Sequence, residues 1–237
     1  MKKTFVPMAL IVLATLGSSF KMADNGCSTY FPAKQGAQLE YKNYDDKDKV
    51  TGRTTQIVTG SSTQGTALVI NIKGTSFDKN DKQLGDYTFD AKCDNGTFSV
   101  NMSSMVDMSK VRANMQVTVK GDNMDFPATL TPGQTLNGGT VTVTMVPQNA
   151  PPGMMNITMT TTISNRKVVC DTTITTPAGT FACVKMSMDE NVKSPLYSDT
   201  FHVNAWYAKN VGRVRTESYD SKGKLKGYTQ LTAVSGN

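Results

Sequence analysis

The chain has 237 residues, 25 Lys and Arg against 19 Asp and Glu, a formal net charge of +6 and 38% hydrophobic residues. That length suits one large β domain or two small ones. The lysines are scattered among aspartates rather than gathered in a stripe with interleaved aromatics, which excludes a nucleic-acid-binding surface. One histidine, His202, and four cysteines without C-x-x-C spacing exclude a zinc site of ordinary ligand spacing and a thioredoxin-like redox motif.

Residues 1–19 combine Lys2 and Lys3, an apolar run from Phe5 to Leu16, and the small residues Gly17, Ser18 and Ser19. This pattern predicts a cleaved signal peptide, its apolar run being too short to span a bilayer. The remainder, 20–237, is expected to form a single antiparallel β domain, soluble and periplasmic or secreted. Cys27 is preceded by Asp24, Asn25 and Gly26. Small apolar residues would precede a lipid-attachment cysteine, so soluble release is favoured over a lipid anchor.

Strand patterning dominates the mature chain. "TALVINIKG" (66–74), "MQVTVKG" (115–121), "TVTVTMV" (140–146) and "MNITMTTTIS" (155–164) alternate apolar and polar residues with period two. "KVVCDTTITTPAGTFACVKMSMD" (167–189) reads as two strands about a Thr176-Pro177-Ala178-Gly179 turn. Only "SSMVDMSKVRANM" (103–115) has helical spacing, with Ser103 or Ser104 as cap. The stretches 122–139 and 147–155 read as loops within the domain. The fold class expected is all-β: an antiparallel meander forming a barrel or half-barrel, with at most one short helix.

A short phrase recurs. "YDDKDK" at 44–49 and "YDSKGK" at 219–224 match at an offset of 175 residues, and "FDKNDK" at 77–82 is a looser third copy. Asp at the head of the phrase can bond the turn's own backbone, and Gly223 or Asp48 can adopt positive φ. Each copy is predicted to be a bulged hairpin tip. The same aspartates lack the central glycine and terminal glutamate of a calcium loop, so no metal site is expected.

No nucleophile elbow of the G-x-S-x-G kind is present, and His202 lies on a strand face with Asn204 and Trp206. No catalytic residue, cofactor or metal ligand is predicted. The fourteen methionines crowd the middle of the chain. Met145, Met159, Met186 and Met188 are the candidates for lining a deformable ligand cavity. For the cysteines, strand alternation puts Cys170 with Val168 and Ile174, and Cys183 opposite Val184, Met186 and Met188. The two sulfurs should then point apart. Cys183 is left to pair with Cys93 or Cys27, and Cys93–Cys183 is the bridge expected.

Four stretches, "CSTYFPAKQGAQLEYKNYD" (27–45), "NMDFPATLTPGQTL" (123–136), "TTPAGTFACVKM" (175–186) and "AWYAKNVGRVRTESYDSKGKLKGYTQL" (205–231), together resemble the TapB-like family of exported bacterial proteins. The resemblance implies an antiparallel β fold and an envelope or secreted location, with family cysteines on Cys27, Cys93 and Cys183. Cys170 departs from it, and no catalytic residue carries over. The expected function is non-enzymatic: a scaffold for an apolar or lipid-like ligand, or an assembly partner of surface proteins. The alternative is a carboxylate-dependent hydrolase whose site forms only on folding.

Overall fold

The computed structural model describes residues 30–106, 115–148 and 156–236. The expected signal peptide, Cys27, and the expected helix beyond 106 lie outside these residues. The strands are β1 (Gln38–Asp45), β2 (Val50–Gln64), β3 (Ala67–Asp78), β4 (Gln83–Asp94), β5 (Thr97–Asn101), β6 (Met115–Gly121), β7 (Asn123–Pro127), β8 (Thr135–Leu136), β9 (Gly139–Pro147), β10 (Ile157–Thr176), β11 (Gly179–Ser194), β12 (Tyr197–Ala208), β13 (Gly212–Tyr219) and β14 (Leu225–Ser235). They make one antiparallel sheet in the order β6-β9-β10-β11-β12-β13-β14-β1-β2-β3-β4-β5-β7, with β8 paired to β10. The sheet curls into a nearly closed barrel. Met102–Met105 forms a single 3-10 turn capped by the Asn101 side chain.

Alternation in the sequence becomes inside and outside. Val141, Val143 and Ile163 turn into the core. The interleaved threonines face each other across the strands, Thr140 with Thr162 at 3.4 Å and Thr142 with Thr160 at 3.5 Å. β-branched residues suit both roles because they fit the pleated surface.

The recurring phrase forms three equivalent turns. Asp45 Oδ1 accepts the backbone N–H groups of Lys47 and Lys49, both at 2.9 Å. Asp78 Oδ1 does the same for Asn80 and Lys82, at 2.8 and 3.0 Å, and Asp220 Oδ1 for Lys222 and Lys224, both at 3.0 Å. The fourth residue of each turn is left-handed: Asp48 at φ 60°, Asp81 at φ 65° and Gly223 at φ 77°. These carboxylates are engaged by their own backbone, which explains the aspartates without an ion.

The barrel closes by an unusual economy of chain. β6 pairs β9, and β7 pairs β5, so both sheet edges belong to one run broken only at Asp122. At the break, Asp122 N–H donates to Thr140 O and Asp122 O accepts from Met102 N–H, at 3.0 and 2.8 Å. Asp122 Oδ2 accepts the Thr140 N–H at 2.8 Å, and the Asn101 amide donates to Gly121 O at 3.0 Å. Gly121 is required here because a Cβ would lie 2.4 Å from the Ser103 nitrogen. The stretch 122–139 is therefore not simply a loop: it supplies β7 and β8.

Arg166 fills the space behind this seam and is fully buried. Asn165, at φ 52°, interrupts the alternation of β10 between Ser164 and Lys167 and allows Arg166 to turn inward. Its Nη1 donates to Asn137 O at 2.6 Å and its Nη2 to Asp125 O at 3.1 Å, while the guanidinium lies 4.9 Å from the Phe126 ring centroid. Nε has no partner among the described residues.

The cysteine expectation is corrected. Cys93 is disulfide-bonded, but Cys170 and Cys183 are both free, so Cys93–Cys183 does not form. A second irregularity, between Val168 and Cys170, explains the error. Val168 pairs Met186, whereas Cys170 pairs Lys185 and Thr172 pairs Cys183. The slip carries Cys170 onto the face of Cys183, so the two do not point apart. Cys183 packs with Trp206, Ala208 and Val214, and burial pushes its thiol pKa up to about 11. Such a thiol is unreactive.

Substitutions at Gly223 and Arg166 check the turn and the seam. Gly223→Val is expected to cost about 1 kcal/mol or more, because a β-branched residue is strained at positive φ; no heavy atom lies within 4 Å of the added Cβ. Gly223→Asp should cost much less, as the sister turns already use Asp. Equal denaturation midpoints for the two variants would contradict the backbone assignment. Arg166→Met keeps much of the volume but strands two carbonyls, and should cost about 3 kcal/mol in chemical denaturation. A loss within about 0.5 kcal/mol, the range usual for surface changes, would show that Arg166 does not hold the seam.

Candidate functional site

The inward face of the barrel holds an aromatic cavity of about 270 Å³. Nine strands contribute side chains to its wall. Tyr41 comes from β1, Gln56 from β2, Ser76 from β3, Tyr87 and Phe89 from β4, Phe98 from β5, Phe126 from β7, Tyr207 from β12, Arg213 from β13 and Thr229 from β14. Tyr30 and Phe31 complete it from the segment before β1. That segment is fastened by Gly36 N–H to Val58 O and Val58 N–H to Ala37 O, both at 2.9 Å.

The rings form a connected set. Phe31 stacks on Phe98 with centroids 6.4 Å apart and meets Phe89 edge-on at 6.0 Å. Phe126 contacts Phe98 at 6.1 Å and Tyr207 at 5.1 Å. Such pairs prefer offset or edge geometries and hold one another's rotamers. Opposite Tyr87 the sheet carries Gly74, where a Cβ would collide with the ring at 2.1 Å. Glycine lets the tyrosine lie flat against the wall. Gln56 Nε2 donates to the Tyr87 hydroxyl at 3.1 Å, and Thr229 Oγ1 to Asn43 Oδ1 at 2.7 Å.

The tip of the β10–β11 hairpin packs against two wall residues, Phe31 and Tyr41. Ala178 and Phe181 from the tip join Leu39, Tyr41 and Leu231 in one apolar cluster. The hairpin turns through Gly179 at φ 135°, with the Ala178 N–H donating to Thr176 Oγ1 at 3.2 Å.

Charge in the wall is one-sided. Arg213 is half-buried, and its guanidinium lies 5.4 Å from the Tyr41 ring centroid. Among the described residues no aspartate or glutamate lines the cavity. Burial pushes the Tyr41 phenol well above the usual tyrosine range, with Arg213 opposing that rise, so Tyr41 stays a neutral hydrogen-bond donor.

The methionine candidates are placed elsewhere. Met186 and Met188 are buried in the main core against Val203 and Ala205. Met145 and Met159 lie on β9 and β10, half-buried, and none of the four lines the cavity. Met124 is the methionine that does. The aromatic wall is missed by local reading because its rings come from separate segments between Tyr30 and Tyr207, where no spacing joins them. One signal was present: the inward positions of "DYTFD" and "GTFSV" place Tyr87, Phe89 and Phe98 on one face. His202 is on the outer face, hydrogen-bonded to Asp189, which also accepts from Asn165 Nδ2 at 2.7 Å. Among the described residues no cluster of three His, Cys, Asp or Glu side chains could hold a metal.

Two solved structures share this architecture. A protein from Bacteroides fragilis, described as exported and with a YmcC-like fold, superposes with a TM-score of 0.75 at 25% identity, over 89% of this chain and all of its own. A protein from Parabacteroides distasonis described as a lipoprotein superposes with a TM-score of 0.75 at 23% identity, over 88% of this chain and 99% of its own. The latter likeness bears on fold alone. No match to the chain is found among curated proteins. Among the described residues no helix is long and apolar enough to cross a membrane. The DUF3108-like family model matches residues 34–231, taking in three of the four resembling stretches whole and most of the first. The chain belongs to the DUF3108-like family.

Proposed function

We propose that this protein is an exported, non-enzymatic envelope protein that holds a small apolar or lipid-like ligand inside its barrel. The observation that carries this reading is the aromatic cavity, concave, drawn from nine strands and, among the described residues, free of carboxylates. Such apolar walls with a few convergent polar groups are the usual form of ligand sites. The signal-peptide pattern at 1–19, the TapB-like resemblance and the relative from Bacteroides fragilis described as exported support a periplasmic or secreted location. An envelope protein partner is compatible with the same scaffold.

A carboxylate-dependent hydrolase is not favoured. Such an enzyme needs two acids placed around a bond. Glu190 is the inward acid with a raised pKa, and burial alone raises it, with no neighbouring carboxylate contributing. It shares its face with Ile163 and Phe201, away from the cavity wall.

Native mass spectrometry of protein purified from its own compartment tests the proposal. A co-purifying small mass, lost in Val100→Trp, is expected, because an indole at Val100 fills the space the ligand would use. A clean apo mass in the wild-type protein would count against it. Glu190 provides a separate check of the interior. Its folded pKa is raised, so the fold loses stability as pH climbs from the ordinary carboxylate value, about 4.3, to the raised one, and loses nothing below that range. Glu190→Gln should raise the melting temperature at pH 7, with the gain vanishing at pH 4. A gain that persists unchanged at low pH would show that the charge is not the cause.

A further inference from the structure

Each described arginine but one has hydrogen-bond acceptors among the described residues. Arg53 reaches Glu40 and Asp81, Arg166 reaches the carbonyls of Asn137 and Asp125, and Arg215 reaches Glu217 and Gln230. Arg213 has no hydrogen-bonded carboxylate, carbonyl or amide among the described residues, yet it lies half-buried in the cavity wall. Its guanidinium rests instead against the face of Tyr41.

A guanidinium carries five donors in a planar fork, and no Arg213 nitrogen is a fully buried, unpartnered atom, so an anion entering the cavity can reach them directly. The fork matches a carboxylate with two parallel bonds. Tyr207 is the cross-strand partner of Arg213 and also lines the cavity, so its phenol and that of Tyr41 flank the same spot. Beyond this point the wall is rings and Met124, Val100 and Val106. The volume equals that of about nine water molecules, hence of a chain with about that many carbon-sized groups.

We infer that the ligand is a single-chain amphiphile with a carboxylate head, the head held by Arg213 and the chain packed among the rings. This rests on the reading of the cavity as a ligand site and adds the ligand's charge and the residue that selects it. A cationic amphiphile would meet an uncompensated arginine, and a neutral alcohol would offer the fork one uncharged acceptor in place of a bidentate carboxylate.

Calorimetric titration of the mature protein with decanoate, 1-decanol and decyltrimethylammonium separates these cases. Decanoate should bind about tenfold or more tighter than decanol, the ratio for one hydrogen-bonded charged group, and decyltrimethylammonium should not bind. In Arg213→Gln that advantage should disappear while decanol affinity is retained. Arg213→Lys, which keeps the charge but not the fork, should recover part of it. Equal binding of decanoate and decanol to the wild-type protein would overturn the carboxylate inference and leave the cavity reading standing. Unchanged decanoate binding in Arg213→Gln would do the same. Failure of all three to bind the wild-type protein would remove the cavity reading, and this inference with it.

Discussion

An open sheet ends in two rows of unpaired N–H and C=O groups, and these must be satisfied or shielded. Here a single run, 115–127, satisfies both rows, first with β9 and then with β5. The rest of the architecture depends on that crossing at Asp122. Because one strand must serve two edges, the sheet has to curl until the edges meet, which creates an interior. Where the run leaves β9 for β5, a gap opens in the hydrogen-bonded wall. Arg166 enters it and bonds to carbonyls from both sides. The same arginine lies over Phe126, a wall residue of the cavity. Closure and cavity are thus coupled through one buried side chain.

Much of this was legible in the residues. The period-two runs mark the strands, and Thr–Val alternation assigns their faces. The three aspartate phrases announced their turns because that geometry needs only six consecutive residues. What escaped were features that alternate wrongly or act at long range. Asn165 and Val169 each shift the register of β10, so the face read for Cys170 by simple parity is displaced and Arg166 turns inward. The Asp122 crossing hides in a stretch rich in Pro, Gly and Asn, whose pairing partners lie on different strands. The methionines cluster in sequence, whereas the rings that form the cavity cluster only in space.

The placement of charge is as uneven as the placement of rings. On the outer face a set of charged and aromatic side chains pair with one another. Arg215 binds Glu217 at 2.8 Å and covers the Tyr228 ring at 4.3 Å, and Tyr228 stacks on Tyr44 at 4.7 Å. Tyr228 donates to Asp48, and burial first and that aspartate second push its phenol pKa up to about 12. Among the described arginines, Arg213 is the one without a hydrogen-bonded acceptor among the described residues.

The three aspartate turns carry a consequence for how the molecule would come apart. In an antiparallel meander, alternate hairpins lie at the same end, so the β1–β2, β3–β4 and β13–β14 tips share one rim of the barrel. Lys224 Nζ ties two of them together through Asp46 at 3.1 Å. Backbone N–H donors hold the carboxyls of Asp45 and Asp220 below the usual range. Their contribution is present above about pH 3.9 and fades as pH falls through the lowered values. At the opposite rim the turns rest on left-handed Gly65, Asn95, Gly96 and Asn210, a backbone geometry that does not titrate. Acid therefore weakens the Asp45 and Asp220 turns, whereas a left-handed backbone turn has no proton to gain.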